Sequence, residues 1–351
     1  MRLPILAHTG PRQWALFAGV AAVVFALPLV FDDPFFILVL QSLAYLFIAT
    51  LGLDILVGWT GQISLGHAGL YAVGAYTTAL LTTRLGVPFW VSAPAGVVLA
   101  GVCGALLALP SLRAKGPYLA MVTVAFGFMA EVTANRWSFT GGPMGIMAIP
   151  GPRLPGGAEM TPTQYFWLIG GTALACQIAA NNLLTSRVGR TLLALRGSEV
   201  AAETVGINVY RWKVLAFVIS SVYAGLGGVF FAHQNGFINS DTFVFSLSVS
   251  LLTSVLMGGS GTLYGPLVGS VILNLIPTIF ARMHEYHLYI YGGIILVTIV
   301  FLPDGIVGSL MKTRAFGWLR RKPPVVEADP AGSDLVAADR AHGPVIAVRE
   351  L

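Results

Sequence analysis

Ten apolar runs, each a candidate for a helix that crosses a lipid bilayer, constrain this chain more than any other feature of its sequence. A spanning helix needs about 20 mainly apolar residues, because the membrane core is about 30 Å thick. Only 10% of the residues are charged, against roughly 25% in soluble domains, which excludes a water-soluble globular protein and a disordered one. The sequence therefore predicts an all-α, polytopic transmembrane bundle with approximate spans at 14–31, 35–53, 65–83, 88–109, 117–135, 163–184, 213–233, 243–257, 264–281 and 288–303.

The basic residues fix the predicted orientation of these spans. With both termini on the cytoplasmic side, only a few of the 20 lysines and arginines fall outside, namely Arg84, Arg136, Arg153 and Arg282. Cytoplasmic loops of membrane proteins are enriched in Lys and Arg, so this arrangement satisfies the positive-inside rule. The same rule explains the net charge of +5 without a nucleic-acid partner.

The predicted domain organisation follows from the spans. Residues 1–13 form a cytoplasmic N-terminus, residues 14–311 the transmembrane domain, and residues 312–351 a polar, mostly disordered cytoplasmic tail. The first apolar run is longer than that of a signal peptide and no small-residue cleavage pattern follows it, so we interpret it as a retained first helix. Between spans six and seven, residues 185–212 form a long cytoplasmic loop.

A glycine-rich segment separates the second and third spans. Residues 58–69 contain the four glycines Gly58, Gly61, Gly66 and Gly69, which weaken a helix and require backbone partners in protein or water. The polar side chains between and beside them are candidates for contacts along a substrate pathway, and these are Thr60, Gln62, Ser64 and His67. The alternative is a tight inter-helix turn whose glycines allow neighbouring helices to approach.

A second glycine-rich segment follows the short eighth span. Its glycines are Gly258, Gly259, Gly261 and Gly265, and their spacing parallels that of the first segment. Many transporters carry internal repeats, so the two segments are candidates for one structural role in two halves of the chain. The alternative is a chance similarity in a chain that contains 41 glycines.

The long cytoplasmic loop has the character of a short amphipathic helix. Arg196 and Glu199 are three residues apart, a spacing that allows an ion pair on one helix face, and Ser198 is a candidate N-cap. Such a helix lies on the membrane surface or docks in the groove of a partner. The alternative is a solvated connector between two spans.

Energy coupling must come from outside this chain if it is a transporter. The ionisable residues Asp54, Glu131 and His233 lie near span ends, and an ion-coupled carrier needs a carboxylate near the midplane. The sequence contains no GxxxxGK[ST] loop for nucleotide and no HExxH or paired-cysteine metal motif. We therefore expect no ATPase site, no other catalytic residues, no metal and no cofactor in this chain.

Several motifs together resemble one family over roughly residues 40–305. GWTGQISLGHAGLYAVGAYTTALL, TGGPMGI, GRTLLALRGSEVAAETVGI and GGSGTLYGP occur in that order. They resemble permease subunits of branched-chain amino acid ABC transporters, of the LivM type. The resemblance implies a multi-pass protein of the bacterial inner membrane that imports Leu, Ile or Val.

The resemblance also implies partners and a site for them. A second permease of the LivH type would complete the pathway, a periplasmic binding protein would deliver substrate, and two ABC ATPase subunits would bind ATP and magnesium. The inward loop would contact these ATPases, through residues that match the family's Glu-Ala-Ala…Gly loop and a flanking arginine, namely Arg196, Glu199, Ala201, Ala202 and Gly206. Val200 departs from the pattern because it separates the glutamate from the alanines.

Several alternatives remain open at this point. The same family includes importers of urea, short amides or other amino acids, and the permease motifs do not separate these substrates. An ion-coupled secondary carrier is the alternative from another class of transporter. The C-terminal residues 344–351 resemble the opening strand of an ABC ATPase domain, which indicates either the start of a fused ATPase or an apolar tail end.

Overall fold

The computed structural model describes residues 33–111, 117–154, 156–280 and 305–312, together with residues 19, 25–28, 293 and 296. The N-terminus 1–13, most of the predicted spans 14–31 and 288–303, and the tail beyond residue 312 lie outside the described residues. The described part is built from helices, with two isolated antiparallel bridges and no longer strand pairing. The prediction of an all-α protein is therefore confirmed for this part of the chain.

The helices follow the predicted apolar runs closely. We number them in chain order as α1 (Pro34–Thr60), α2 (His67–Arg84), α3 (Phe89–Ser111), α4 (Pro117–Arg136), α5 (Pro162–Thr185), α6 (Arg187–Gly197), α7 (Glu199–Thr204), α8 (Val209–Asn235), α9 (Phe245–Gly258), α10 (Gly265–Phe280) and α11 (Gly305–Lys312).

Local sequence explains where the long helices begin and end. Asp33 caps α1 by accepting a hydrogen bond from the Phe35 amide at 2.9 Å, and Gly61 ends this helix with a φ of +73°. At α5, Thr161 and Gln164 form a capping box in which each side chain accepts from the other's backbone amide. Gly236 ends α8 in the left-handed conformation with a φ of +64°.

Among the residues that the structure describes, five segments are long and apolar enough to cross a membrane: Pro34–Thr60, Phe89–Leu109, Tyr118–Arg136, Val209–Asn235 and Ser240–Gly258. Helices α2 and α5, with 18 and 24 residues, also reach the length of a span. The described helices are therefore those of a multi-pass membrane protein, while the count of ten spans and the side of the termini stay predictions.

Helix α8 lies at the centre of the bundle, where it packs against α1, α2 and α3. Glycines permit this close packing, because a Cβ at Gly74 would meet the backbone of Gly225 and one at Gly104 would meet the Ser221 side chain. Helix association in a membrane depends on such close backbone approach, since lipid supplies no hydrophobic driving force between helices.

The bundle has two distinct ends. At one end, which we call the 136–162 end, the connection from α4 to α5 folds over the helices, and Ile146 forms a backbone bridge with Ile238. At the other, the α6–α7 end, lie the two short helices and both glycine-rich segments. Gly305 contacts the backbone of Gly259 at this second end, so the chain returns there after α10.

Candidate functional site

The segment between α1 and α2 is a non-helical break of six residues, 61–66. Thr60 and Gln62 face inward here and are almost fully buried. The Gln62 amide nitrogen donates to the Thr60 hydroxyl at 2.8 Å, and that hydroxyl donates to the Leu56 carbonyl one turn earlier. These bonds pair the two buried side chains with each other and with the backbone at the end of α1.

Three helices are connected by a hydrogen-bonded chain through His67, the first residue of α2. Ser64 Oγ lies 3.0 Å from His67 Nδ1, and His67 Nε2 lies 2.7 Å from Ser220 Oγ on α8. Ser220 donates its own hydrogen to the Gly52 carbonyl of α1 at 2.7 Å, so the histidine must donate from Nε2. A neutral ring then accepts from Ser64 at Nδ1, and every hydrogen in the chain is used.

The four predicted pathway residues are therefore brought together, but inside the chain and paired with its own groups. Ser64 and His67 are fully buried. The surface of the 61–66 segment is formed instead by Gly61 and by Ile63, whose side chain is 49% exposed. A role of the four polar residues in substrate passage stays a prediction.

The two glycine-rich segments meet at the α6–α7 end, in contact between Gly58 and Gly261. A Cβ at Gly58 would overlap the Gly261 backbone, and one at Gly261 would lie 2.8 Å from the Gly58 carbonyl oxygen. Gly261 also has a φ of +77°, a conformation that other residues rarely adopt. The carboxylate of Asp54, one turn before Gly58, accepts the Gly261 amide at 2.7 Å.

The remaining glycines of the two segments have different neighbours. Gly66 and Gly69 lie against α4, where added Cβ atoms would meet Thr123 and Phe126. In the turn between α9 and α10, a Cβ at Gly258 would meet the Gly265 carbonyl, and a Cβ at Gly265 would meet the Gly259 carbonyl. Gly259, in the same turn, contacts Gly305. The first segment is thus an extended break and the second a tight helix–helix turn.

Residues 187–204 form a hairpin of two short helices, α6 and α7. Ser198 caps α7 by accepting from the Ala201 amide at 3.2 Å, which confirms the predicted cap. The predicted pairing of Arg196 with Glu199 is wrong. Ser198 adopts an extended conformation with a φ of −165°, which breaks the helix between the two charges. Glu199 lies 2.6 Å from Lys213 of α8 instead.

Arg196 turns away from the hairpin toward the glycine contact. Its guanidinium donates to the carbonyl of Gly58, which lies one turn after Asp54 on α1. The hairpin is therefore attached to the bundle by one charged residue from each of its helices, Arg196 and Glu199, in addition to its buried apolar residues Leu192, Leu195 and Ala202.

The outer face of the hairpin is exposed. The exposed residues include Val200, Ala201, Glu203, Thr204, Val205 and Gly206. Ala202 is buried within this chain, so only Ala201 of the two predicted alanines lies on this face. Gly206 has a φ of +82° and no atom within 4 Å of where a Cβ would lie.

Sequence reasoning missed three partners in this site. The missed contacts are Glu199–Lys213, His67–Ser220 and Asp54–Gly261. Each joins residues more than ten positions apart, so no local pattern predicts it. The available signal was the Asp54 carboxylate itself, which stands in an apolar run one turn before a glycine. Among the described residues, no group of three His, Cys, Asp or Glu side chains is placed to hold a metal ion.

Comparison with known protein families gives one clear match. Residues 35–299 match the family described as branched-chain amino acid transport system / permease component. The match covers both glycine-rich segments, the hairpin and every long helix of the structure apart from the first residue of α1.

Individual relatives agree with this match. The chain is 33% identical over 281 residues to the high-affinity branched-chain amino acid transport system permease protein LivM of Escherichia coli K12, which covers 73% of this chain and 66% of the relative. It is 25% identical over 282 residues to LivH of Salmonella typhimurium, covering 74% of this chain and 89% of that protein. It is also 27% identical over 206 residues to the autoinducer 2 import system permease protein LsrC of Klebsiella pneumoniae, covering 56% and 57%. No solved structure gives a significant match.

Proposed function

Since this chain belongs to the family of branched-chain amino acid transport system permease components, we propose that it is a permease subunit of an ATP-driven importer and forms half of a pathway for branched-chain amino acids. The observation that carries the proposal is the hairpin α6–α7, which presents an exposed face while Arg196 ties it to the junction of the two glycine-rich segments. An external ATPase that binds this face would act directly on the helices of the pathway.

The proposed complex contains a second permease of the LivH type, two ABC ATPase subunits and a periplasmic binding protein. Similarity of this chain to both LivM and LivH relatives supports a pair of homologous permeases. ATP and magnesium bind to the ATPase subunits, since this sequence has no nucleotide loop. The complex lies in the bacterial inner membrane, with ten spans in this chain and both of its ends in the cytoplasm.

The α6–α7 end is the cytoplasmic end in this proposal. Arg187, Arg190, Arg196, Arg211 and Lys213 all belong to the hairpin or its flanks, as the positive-inside rule requires. The contact of Gly305 with Gly259 supports an even number of crossings, because it returns the chain to the same end after α10.

The four pathway candidates have two roles in this account. Ser64 and His67 hold the 61–66 break in place through Ser220, while Thr60 and Gln62 define the polar end of α1 beside it. The exposed Ile63 gives the break an apolar surface, which suits the side chains of Leu, Ile and Val. Weak contacts of this kind favour release, because a tightly bound substrate would leave slowly.

The predicted ATPase-coupling residues form two groups, one on the exposed face of the hairpin and one that attaches the hairpin to the bundle. Ala201 and Gly206 lie on the exposed face, so they are proposed to contact the ATPase. Arg196, Glu199 and Ala202 attach the hairpin to the rest of the chain. A substitution at buried Ala202 would test folding, so Ala201 is the better position for a test of ATPase binding.

The experiment is a tagged pull-down from detergent-solubilised membranes of cells that express the complete transporter. We expect the wild-type chain to bring down an ABC ATPase and a second permease, and Ala201→Arg to lose the ATPase alone because its bulk blocks the exposed face. Ala158→Arg, at an exposed alanine of the 136–162 end, is the matched control and keeps both partners.

Uptake assays separate the alternatives. We expect uptake of radiolabelled leucine by the reconstituted complex to require ATP and to be reduced by isoleucine and valine, but not by urea or acetamide. Competition by urea or acetamide would indicate instead that the substrates are short amides. Uptake by the chain alone, driven by an ion gradient, would contradict the importer proposal and favour a secondary carrier.

A further inference from the structure

The last two turns of α1 receive contacts from two separate elements of the α6–α7 end. Arg196 approaches from the hairpin and donates to the carbonyl of Gly58. Gly261 approaches from the α9–α10 turn and donates its amide to Asp54 at 2.7 Å. Because Asp54 and Gly58 are one turn apart on the same helix, the two contacts are adjacent.

The contact with Arg196 satisfies the end of a helix. The amides of Gly61 and Gln62 bond back to Val57 and Leu56, so the carbonyl of Gly58 has no partner within the helix. A cation is favoured at this position, since the C-terminal end of a helix carries a partial negative charge.

The contact with Asp54 buries a carboxyl group near the end of α1. Asp54 has an exposed fraction of only 1%, so its oxygens need hydrogen-bond partners inside the protein. The Gly261 amide bonds to one of them at 2.7 Å, and the Arg196 guanidinium is bonded to Gly58, one turn further along the same helix. Loss of either partner therefore weakens the position of the other.

The glycines make this arrangement tight enough to transmit movement. A Cβ at Gly58 would overlap both the Asp54 carboxylate and the Gly261 backbone, so no side chain separates α1 from the α9–α10 turn. A Cβ at Gly61 would lie 3.5 Å from Cγ of Arg196, which brings the stem of this arginine against the same helix end. A shift of α6 thus changes contacts on α1 and on the turn together.

We propose that Asp54 is a positioning residue for energy coupling, which links movement of the α6–α7 hairpin, through Arg196, to the α9–α10 turn at Gly261. This role rests on the proposed importer function and adds to it a route from the ATPase-binding face to two pathway helices. Asp54 does not touch substrate in this role. It acts through the position of Arg196 and Gly261.

The test compares Asp54→Asn with wild type in the complete transporter reconstituted into vesicles. Asparagine keeps the size of the side chain and an oxygen that accepts from the Gly261 amide, but it replaces the second carboxyl oxygen by an uncharged amide group that donates hydrogen bonds. We expect ATP hydrolysis to continue while the amount of leucine imported per ATP falls by about tenfold, within the range typical of coupling between sites. Glu131→Gln, a carboxylate-to-amide change on α4 at the opposite end, is the matched control and keeps the wild-type ratio.

A second variant identifies Arg196 as the partner. Arg196→Gln alone is expected to lower the same ratio, and the double variant with Asp54→Asn is expected to fall no further, because the two groups act as one unit. If Asp54→Asn does not reach the membrane, Arg196→Gln carries the test by itself. A wild-type ratio of leucine to ATP in either variant that assembles would overturn the proposal.

A readout without transport separates this proposal from the importer proposal. In the purified wild-type chain, hydrogen–deuterium exchange reports the order of residues 192–206 and 258–264. Asp54→Asn is expected to raise exchange in both segments, and Glu131→Gln in neither. If ATP drives no uptake in wild type yet both segments respond to Asp54→Asn, the importer function fails and the structural link remains. If the segments do not respond together, the link itself is wrong.

Discussion

At the 136–162 end the polar contacts between the connecting loop and the bundle are neutral hydrogen bonds, whereas at the α6–α7 end the polar contacts between the hairpin and the bundle involve charged groups. The loop is fixed by the bridge of Ile146 with Ile238, by His233 Nδ1 and the Pro150 carbonyl at 2.9 Å, and by Trp90 donating to the Arg153 carbonyl. The hairpin depends on Arg196 and on the Glu199–Lys213 ion pair.

The difference suits the two ends to different tasks. Many backbone hydrogen bonds along a loop define one conformation, because each unpaired buried group carries a desolvation penalty. The hairpin packs on the bundle through the buried residues Leu192, Leu195 and Ala202, and its two charged contacts leave few hydrogen bonds to exchange when it moves. We therefore expect the 136–162 end to act as a rigid platform and the α6–α7 end as the mobile one.

The largest effect is expected where the two glycine-rich segments touch. Gly261→Ala adds a Cβ against the Gly58 carbonyl and the Arg196 guanidinium, in a left-handed conformation. Strain and overpacking together are expected to lower the free energy of unfolding by about 3 kcal/mol or more, measured by denaturant titration in mild detergent.

Gly206→Ala is the matched control for this substitution. Gly206 is also left-handed, with a φ of +82°, but a Cβ there meets nothing within 4 Å. Only the conformational strain remains, so we expect a loss of about 1 kcal/mol. Equal losses at the two positions would show that the segments do not touch as described.

A smaller effect is expected at the two buried histidines, which lie at opposite ends of the same pair of helices. His67 bonds to Ser220 at 2.7 Å, and His233 bonds to Thr78 at 2.9 Å. Each substitution by alanine removes two buried hydrogen bonds, to Ser64 and Ser220 at His67 and to Thr78 and Pro150 at His233, and is expected to lower the free energy of unfolding by roughly 2–3 kcal/mol.

Hydrogen–deuterium exchange then distinguishes the two ends. His233→Ala is expected to raise exchange in residues 146–153, because His233 is bonded to the Pro150 carbonyl. His67→Ala is expected to leave that loop unchanged and to affect residues 61–66. An equal response of the 146–153 loop to both substitutions would contradict the assignment of each histidine to one end of the bundle.

The smallest effects are expected at the ion pairs. Lys213→Met removes the partner of Glu199 from a largely buried position and is expected to lower the free energy of unfolding by about 1 kcal/mol, less at high salt. Arg153→Ala removes an exposed ion pair with Glu159 at 3.5 Å. This substitution is expected to change the free energy of unfolding by less than about 0.5 kcal/mol. A larger loss at Arg153 would show that charge also holds the 136–162 end.

Hydropathy predicted the described helices well because these helices are apolar over most of their length. The predicted spans 65–83 and 264–281 became His67–Arg84 and Gly265–Phe280. The largest error was the end of α1, which continues to Thr60 rather than stopping at residue 53. The glycines and Asp54 lower the local hydropathy, but the α9–α10 turn buries them, and that contact joins residues 207 positions apart.

The site was less predictable than the helices. The Ser198 cap follows from a local pattern, since a serine before an acidic first turn bonds to the backbone nearby. The partners of Arg196, Glu199 and His67 depend on which helices are neighbours, so spacing along the sequence suggested the wrong pair for Arg196. Burial of Ala202 beside exposed Ala201 likewise depends on how the hairpin is attached.

The central claim is that the two ends lie on opposite sides of the membrane, with the α6–α7 end in the cytoplasm. The most direct measurement labels single cysteines with a membrane-impermeant maleimide, after replacement of the native Cys103 and Cys176 by serine. Val205→Cys reports the hairpin and Ala158→Cys the opposite loop, both at exposed positions. The account predicts labelling of residue 205 only in inside-out vesicles and of residue 158 only in right-side-out vesicles; the reverse pattern, or labelling of both from one side, would contradict it.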